Sequence, residues 1–138
     1  MTDVSITPAN VLASGDARVS HGHKAGGTIT AGMALYKEAS TGKYKAADAD
    51  SGTEEVKNAS AIALNGASDG QPLSILTKGK ITIGGTVVAG TVYALSAANP
   101  GGIAPLSDIT TDDDVIIVGV ATTAAIIDVD FNNTGVTL

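Results

Sequence analysis

The stretch Gly26-Gly27-Thr28-Ile29-Thr30-Ala31-Gly32 returns 58 residues later as Gly84-Gly85-Thr86-Val87-Val88-Ala89-Gly90. The pattern G-G-T-x-x-A-G therefore occurs twice, and internal repeats constrain an unknown fold more than any single segment does. At the same shift, Ala61-Ile62-Ala63 falls on Gly119-Val120-Ala121. The two copies cover about residues 26–64 and 84–122.

Each copy reads as a strand, a turn and a returning strand. In the first, Thr28 to Lys37 is apolar and β-branched, Ser40-Thr41-Gly42 has turn chemistry, and Lys43 to Ala46 alternates polar and apolar. In the second, Thr86 to Leu95 is the outgoing strand, Asn99-Pro100-Gly101-Gly102 the turn and Ile103-Ala104 the return, with Pro105 marking an edge. Further strands are expected at Ala59 to Leu64, Leu73 to Lys78, Lys80 to Ile83, Val115 to Ala121 and Ala124 to Phe131. Asp48 to Asn58 reads as a long acidic loop or one short helix. Turns at this spacing, with no amphipathic helix, predict an all-β fold, a small β-barrel or sandwich.

Residues 1–20 lie outside both copies. Asp3-Val4-Ser5-Ile6 is β-prone, Thr7-Pro8 interrupts it, and a second short run follows at Asn10 to Ala13. This segment reads equally well as a first strand or as an extended arm that pairs with another chain. Residues 21–138 read as a single β domain.

Composition agrees. Ile, Val and Thr occupy 40 of 138 positions, a β-branched load suited to pleated strands. Only four aromatic residues are present, Tyr36, Tyr44, Tyr93 and Phe131, so the core must be built from aliphatic and small side chains. The net charge is −6 and Arg18 is the only arginine, which leaves little to neutralise a phosphate backbone and argues against nucleic-acid binding. The absence of cysteine excludes disulfides, thiolate metal sites and a thiol nucleophile. No secretory leader pattern and no apolar run near 18 residues is present, so a soluble chain without membrane contact, made in the cytoplasm, is expected.

Chemistry-bearing residues are few. His21 and His23 at i, i+2 would share one face of a strand and with it a metal, but no third ligand is obvious and the plainer reading is a polar, unliganded turn. Asp112-Asp113-Asp114 offers oxygen ligands without the alternating spacing of a calcium loop; a charge cluster guarding a strand start is simpler. Asp128 and Asp130 would project from one face of the last strand, where a solvated face is the simpler reading than acid–base work. No serine stands in a nucleophile-elbow context. The chain reads as non-enzymatic, with no metal and no cofactor.

Taken in order, Ala31-Gly32-Met33-Ala34-Leu35-Tyr36, Ser60-Ala61-Ile62-Ala63-Leu64, Gly70 to Gly79, Ala89-Gly90-Thr91-Val92-Tyr93-Ala94 and Val118-Gly119-Val120-Ala121 resemble small phage head proteins, the capsid decoration or cement proteins. The resemblance covers about two thirds of the chain, from Thr28 to Ala121. It is one of order and spacing, without a catalytic motif. It implies a compact, tulip-like β domain that forms trimers on the outer surface of the virion head, synthesised in the host cytoplasm. There such a domain bridges neighbouring major capsid protein subunits after the shell expands. On this reading Thr2, Asp3, Val4, Ser5, Ile6, Thr7, Pro8 and Ala9 are the candidate capsid-binding residues, adding a strand to capsid loops.

Two other classes compete with that reading. A phage tail or receptor-binding module would use loops such as Asp48 to Asn58 to touch host glycans, although the chain has few aromatic faces for sugar rings. A small metal-dependent enzyme would be built around His21, His23 and the aspartates. Homo-oligomerisation follows separately: a β domain with so few large side chains buries limited apolar area, and association adds to it.

Overall fold

The computed structural model describes residues 3–138. The chain is nearly all-β, 44% strand and 7% helix, and its antiparallel sheet curls into a half-barrel. In chain order the strands are β1 (Leu12–Ala13), β2 (Arg18–Lys24), β3 (Ala34–Lys37), β4 (Tyr44–Ala46), β5 (Ala61–Ala63) and β6 (Pro72–Thr82). After them come β7 (Val92–Leu95), β8 (Ile103–Pro105), β9 (Asp114–Ala121) and β10 (Ile126–Thr137). One helical turn, α1 (Glu54–Lys57), stands in the acidic stretch between β4 and β5. No helix among the described residues is long and apolar enough to cross a membrane.

The sheet order is β4-β3-β5-β6-β10-β9-β7-β8, with β1 and β2 also paired to β6. β6 is the spine. One of its edges receives β5 at residues 75–76 and β10 at 78–82, and the other receives β2 and β1. The segments expected as separate strands before and after Gly79 form this one strand, with Gly79 held at φ +109 inside it. A Cβ there would lie 2.8 Å from the Cα of Ala17, so glycine lets the chain before β2 approach closely.

Two hairpin modules lead off the edge that receives β5 and β10: β3–β4–β5 joins the spine directly, and β7–β8–β9 joins it through β10. Both expected outgoing strands start later than their sequence suggests, at Ala34 and Val92. The preceding residues turn instead: Met33 N–H donates to Thr30 O and Thr91 N–H to Val88 O, with Gly32 at φ +93 and Gly90 at φ +84. Ladder pairs recur at the 58-residue offset, Ala34 opposite Ile62 and Val92 opposite Val120. So do flanking bonds, Gly32 N–H to Ala63 O and Gly90 N–H to Ala121 O, both at 2.8 Å.

The packing of the two modules differs. In the first, Ala34, Tyr36 and Ile62 enter the main core while Leu35, Ala61 and Ala63 enter a second cluster with Ile29, Leu73 and Ile75. In the second, Tyr93, Leu95 and Ala121 enter the main core and Val120, the counterpart of Ile62, is 40% exposed. Equivalent ladders thus turn opposite faces to the shared core, because moving inward-facing positions by one residue exchanges the two sides of a strand. Each fully buried Ile or Leu stabilises the fold by about 1.5–3 kcal/mol, and the spine supplies Leu76 and Ile81 to the same core, with Ile83 just beyond its end.

Candidate functional site

Asp3 to Val11 form a strap laid across the second module and the turn of the first. Val4 N–H donates to Ile103 O of β8 at 2.7 Å and Thr7 N–H to Gly84 O at 2.8 Å. The Asp3 carboxylate accepts from Ser96 Oγ at 2.7 Å and from Asn99 Nδ2 at 2.8 Å. Ser96 is fully buried, and its hydroxyl oxygen also accepts from the N–H groups of Ala98 and Asn99, so Asp3 completes the bonding of the one buried polar side chain among the described residues.

Apolar strap residues point inward and polar ones outward. Val4, Ile6 and Val11 pack on the main core, whereas Ser5, Thr7, Pro8, Ala9 and Asn10 are exposed. Pro8–Asn10 make one 3-10 turn, started by the proline that the sequence placed as a break. The strap needs a floor without side chains. A Cβ on Gly84 would stand 2.6 Å from Thr7 O, one on Gly85 would collide with Ser5 O, and one on Gly32 would stand 2.7 Å from Ile6 Cγ2. The paired glycines carried this signal in the sequence, but nothing there said which segment would lie on them.

Of the eight expected capsid-binding residues, Thr2 lies outside the described residues. The other seven are in the strap. The backbone donors of Val4 and Thr7 are engaged within the chain, to Ile103 of β8 and to Gly84, so the segment is seated as a non-strand cover instead of a free arm. Beside it opens a cleft of about 640 Å³ whose wall includes Val4, Val88, Tyr93 and Pro105, with Asp3 and Asp108 as its acidic members. The Tyr93 hydroxyl accepts from Val88 N–H at 2.9 Å, which holds the loop before β7 over this cleft.

The histidines do not act as a pair. Gly22, at φ +83, and a register shift between Ser20 and His23 break the simple alternation assumed for β2. His21 Nδ1 lies 2.7 Å from Ser74 Oγ on β6. His23 Nε2 lies 2.7 Å from Ser20 Oγ, and its ring meets Tyr44 edge-on with centroids 5.2 Å apart. Among the described residues no three His, Cys, Asp or Glu side chains gather as a metal site would require.

The three consecutive aspartates diverge. Asp112 takes a left-handed conformation at φ 72, and its N–H donates to Leu138 O. Asp113 accepts from the N–H and hydroxyl of Thr110. Asp114 bonds Thr137 Oγ1 and faces Lys57 Nζ at 2.6 Å, with both charged side chains largely covered. Lys57 and Thr137 hold the Asp114 carboxyl below its ordinary value, and Asp114 in turn raises the Lys57 ammonium. This contact ties α1 to one end of the β9–β10 ribbon, where β9 starts and β10 finishes. A similar pair in the first module joins Lys45 to Glu38 at 2.7 Å, raising the former and, with Thr41, lowering the latter. Asp128 and Asp130 are exposed on one face of β10, as the alternation predicts.

No family model matches the chain, and no curated protein or solved structure shows significant similarity to it.

Proposed function

We propose that this chain is a phage decoration protein, which binds the outer surface of an expanded icosahedral head and reinforces it by bridging major capsid protein subunits. The reading is structural and non-catalytic, with no cofactor, nucleic acid or membrane involved. Its support is the order of the segments between Thr28 and Ala121, together with the curled all-β domain that such a resemblance implies. The observation that carries it furthest is the strap. Seven candidate contact residues are held in one fixed conformation, with Ser5, Thr7, Pro8 and Ala9 turned outward.

A preordered contact surface binds without the entropy cost of ordering a free arm. Association of several copies, three on the resemblance, multiplies modest contacts through effective concentration and lets weak individual interfaces hold a shell together. Because Val4 and Ile6 pack against the main core, deleting the strap would damage the fold as well as the contact. The contact is better tested by Ser5→Arg and Ala9→Arg, which leave the inward side chains in place.

Co-sedimentation with expanded heads lacking this protein, with unexpanded procapsids as the control, decides the matter. Saturable binding to expanded heads alone, reduced at least 10-fold by either arginine substitution, is expected, in line with the about 1.4 kcal/mol that one decade represents. Absence of binding to both particles would overturn the reading.

A further inference from the structure

The outward face of the sheet carries a charge pattern that none of the sites above uses. Lys78 and Lys80 project from β6, and directly opposite them on β10 stand Asp130 and Asp128. The alternate residues Ile81, Ile127 and Val129 are buried beneath. A column of lysines thus runs beside a column of aspartates. Both are wet: Lys78 Nζ and Asp130 Oδ1 are 4.0 Å apart, with side chains 59% and 74% exposed.

Apolar residues flank the columns. Leu12, on β1 opposite Thr82, is 69% exposed, and Val120, on β9 opposite Asp128, is 40% exposed. Along the aspartate side runs a shallow groove of about 360 Å³, walled by Ile117, Val120, Lys78, Asp128 and Asp130.

We infer that this face docks a second copy of the same chain, face to face, about a two-fold axis parallel to β6 and β10. Rotation about that axis exchanges the two columns, so each lysine column comes to lie over the aspartate column of the other copy. A two-fold axis across the strands would instead set lysine on lysine, and like charges brought together in an interface are strongly unfavourable. The pattern therefore selects one orientation.

In that orientation β1 of one copy lies over β9 of the other, which brings Leu12 within about one outward-facing residue of Val120, or roughly 7 Å along a strand. Aligned packing of two twisted sheets is an ordinary arrangement, and it would cover Leu12, the most exposed large apolar side chain among the described residues. The contact is independent of capsid binding and doubles whatever unit the chain otherwise forms.

Sedimentation equilibrium of the full chain tests this, using Lys78→Asp with Lys80→Asp as one variant and Asp128→Lys with Asp130→Lys as another. At low salt each variant is expected at half the mass of the wild type, and an equimolar mixture of the two is expected to return to the wild-type mass. A third variant with all four exchanges keeps opposite charges across every pair within its own chain, and it too is expected at the wild-type mass. Either charge variant matching the wild-type mass, a mixture that stays at half mass, or a four-exchange variant that does not associate would each overturn the inference.

Discussion

The two hairpin modules share the register of the β3–β5 and β7–β9 ladders and their flanking hydrogen bonds at an offset of 58 residues, while their hairpin pairings differ by one residue, and they use opposite faces. In β3–β4–β5 both faces are covered: Ile62 looks into the main core, while Leu35, Ala61 and Ala63 look into a second cluster closed by Ile29 and Leu73. In β7–β8–β9 the face bearing Ala94 and Ile117 is covered by Leu106, Ile109 and Val115, and Val120 is left partly in water. A shared ladder therefore does not make equal packing. The turn and its hydrogen bonds are local, whereas the side that meets the core depends on what else the chain brings there.

The sharpest test of that contrast truncates the matching ladder residue of each module to alanine. Ile62→Ala opens a cavity in the main core and is expected to cost about 2–5 kcal/mol, whereas Val120→Ala at the matching ladder position should stay within about 0.5 kcal/mol. Urea unfolding of the two variants measures both. Equal losses would mean that the faces are not inverted.

A smaller but still large difference is expected between the glycine pairs. Gly84→Ala sets a Cβ at φ +80 against the carbonyl of Thr7, combining backbone strain with a contact that cannot relax by turning a side chain; about 2–3 kcal/mol is expected. Gly27→Ala, in the pair of the first module, has nothing within 4 Å to meet, and a change within about 0.5 kcal/mol in the same assay is expected.

Gly32 and Gly90 refine the comparison further. Both hold positive φ in equivalent turns, so alanine strains either by about 1–3 kcal/mol. Only Gly32 lies under the strap, 2.7 Å from Ile6 Cγ2 by its virtual Cβ, while Gly90 is open. Gly32→Ala should therefore cost about 1 kcal/mol more than Gly90→Ala, and an added Ile6→Ala should shrink that excess in a double-mutant cycle. An excess that survives Ile6→Ala would assign it to something other than the strap.

The smallest effect belongs to Asp114 and Lys57. The carboxyl titrates below its ordinary value near 3.8 in the folded chain, so its stabilising contribution is complete above that value and is lost as pH falls through the lowered one. The Lys57 ammonium titrates above its ordinary 10.5, so its contribution is complete below 10.5 and is lost as pH rises through the raised value. Asp114→Asn should flatten the acid limb of a stability–pH curve while changing neutral stability less than Ile62→Ala, Gly84→Ala or Gly32→Ala. An unchanged acid limb would show that other carboxylates govern it.

Much of this was legible in the chain. The all-β class followed from β-branched residues and regularly spaced turns, and the hairpins expected across Ser40-Thr41-Gly42 and Asn99 to Gly102 stand there as β3–β4 and β7–β8. Three features were not legible. The strand starts moved to Ala34 and Val92 because hydrogen bonds at Gly32 and Gly90 spend the preceding residues on a turn. The stretches before and after Gly79 fused into one spine because neighbouring strands pair on both its edges. The i, i+2 histidines parted because a bulge at Gly22 interrupted the period on which their common face depended.

The strap shows where the division falls. By itself the sequence determined that residues 1–20 stood outside the repeat, that Pro8 interrupted them and that the chain is all-β, since composition and turn chemistry act over a few residues. Tertiary structure alone decided that Asp3 closes over Ser96, that Thr7 lies on Gly84 and that Ile62 is buried where Val120 is not. Those outcomes depend on segments tens of residues apart competing for one limited apolar surface. No local propensity records which segment covers which face.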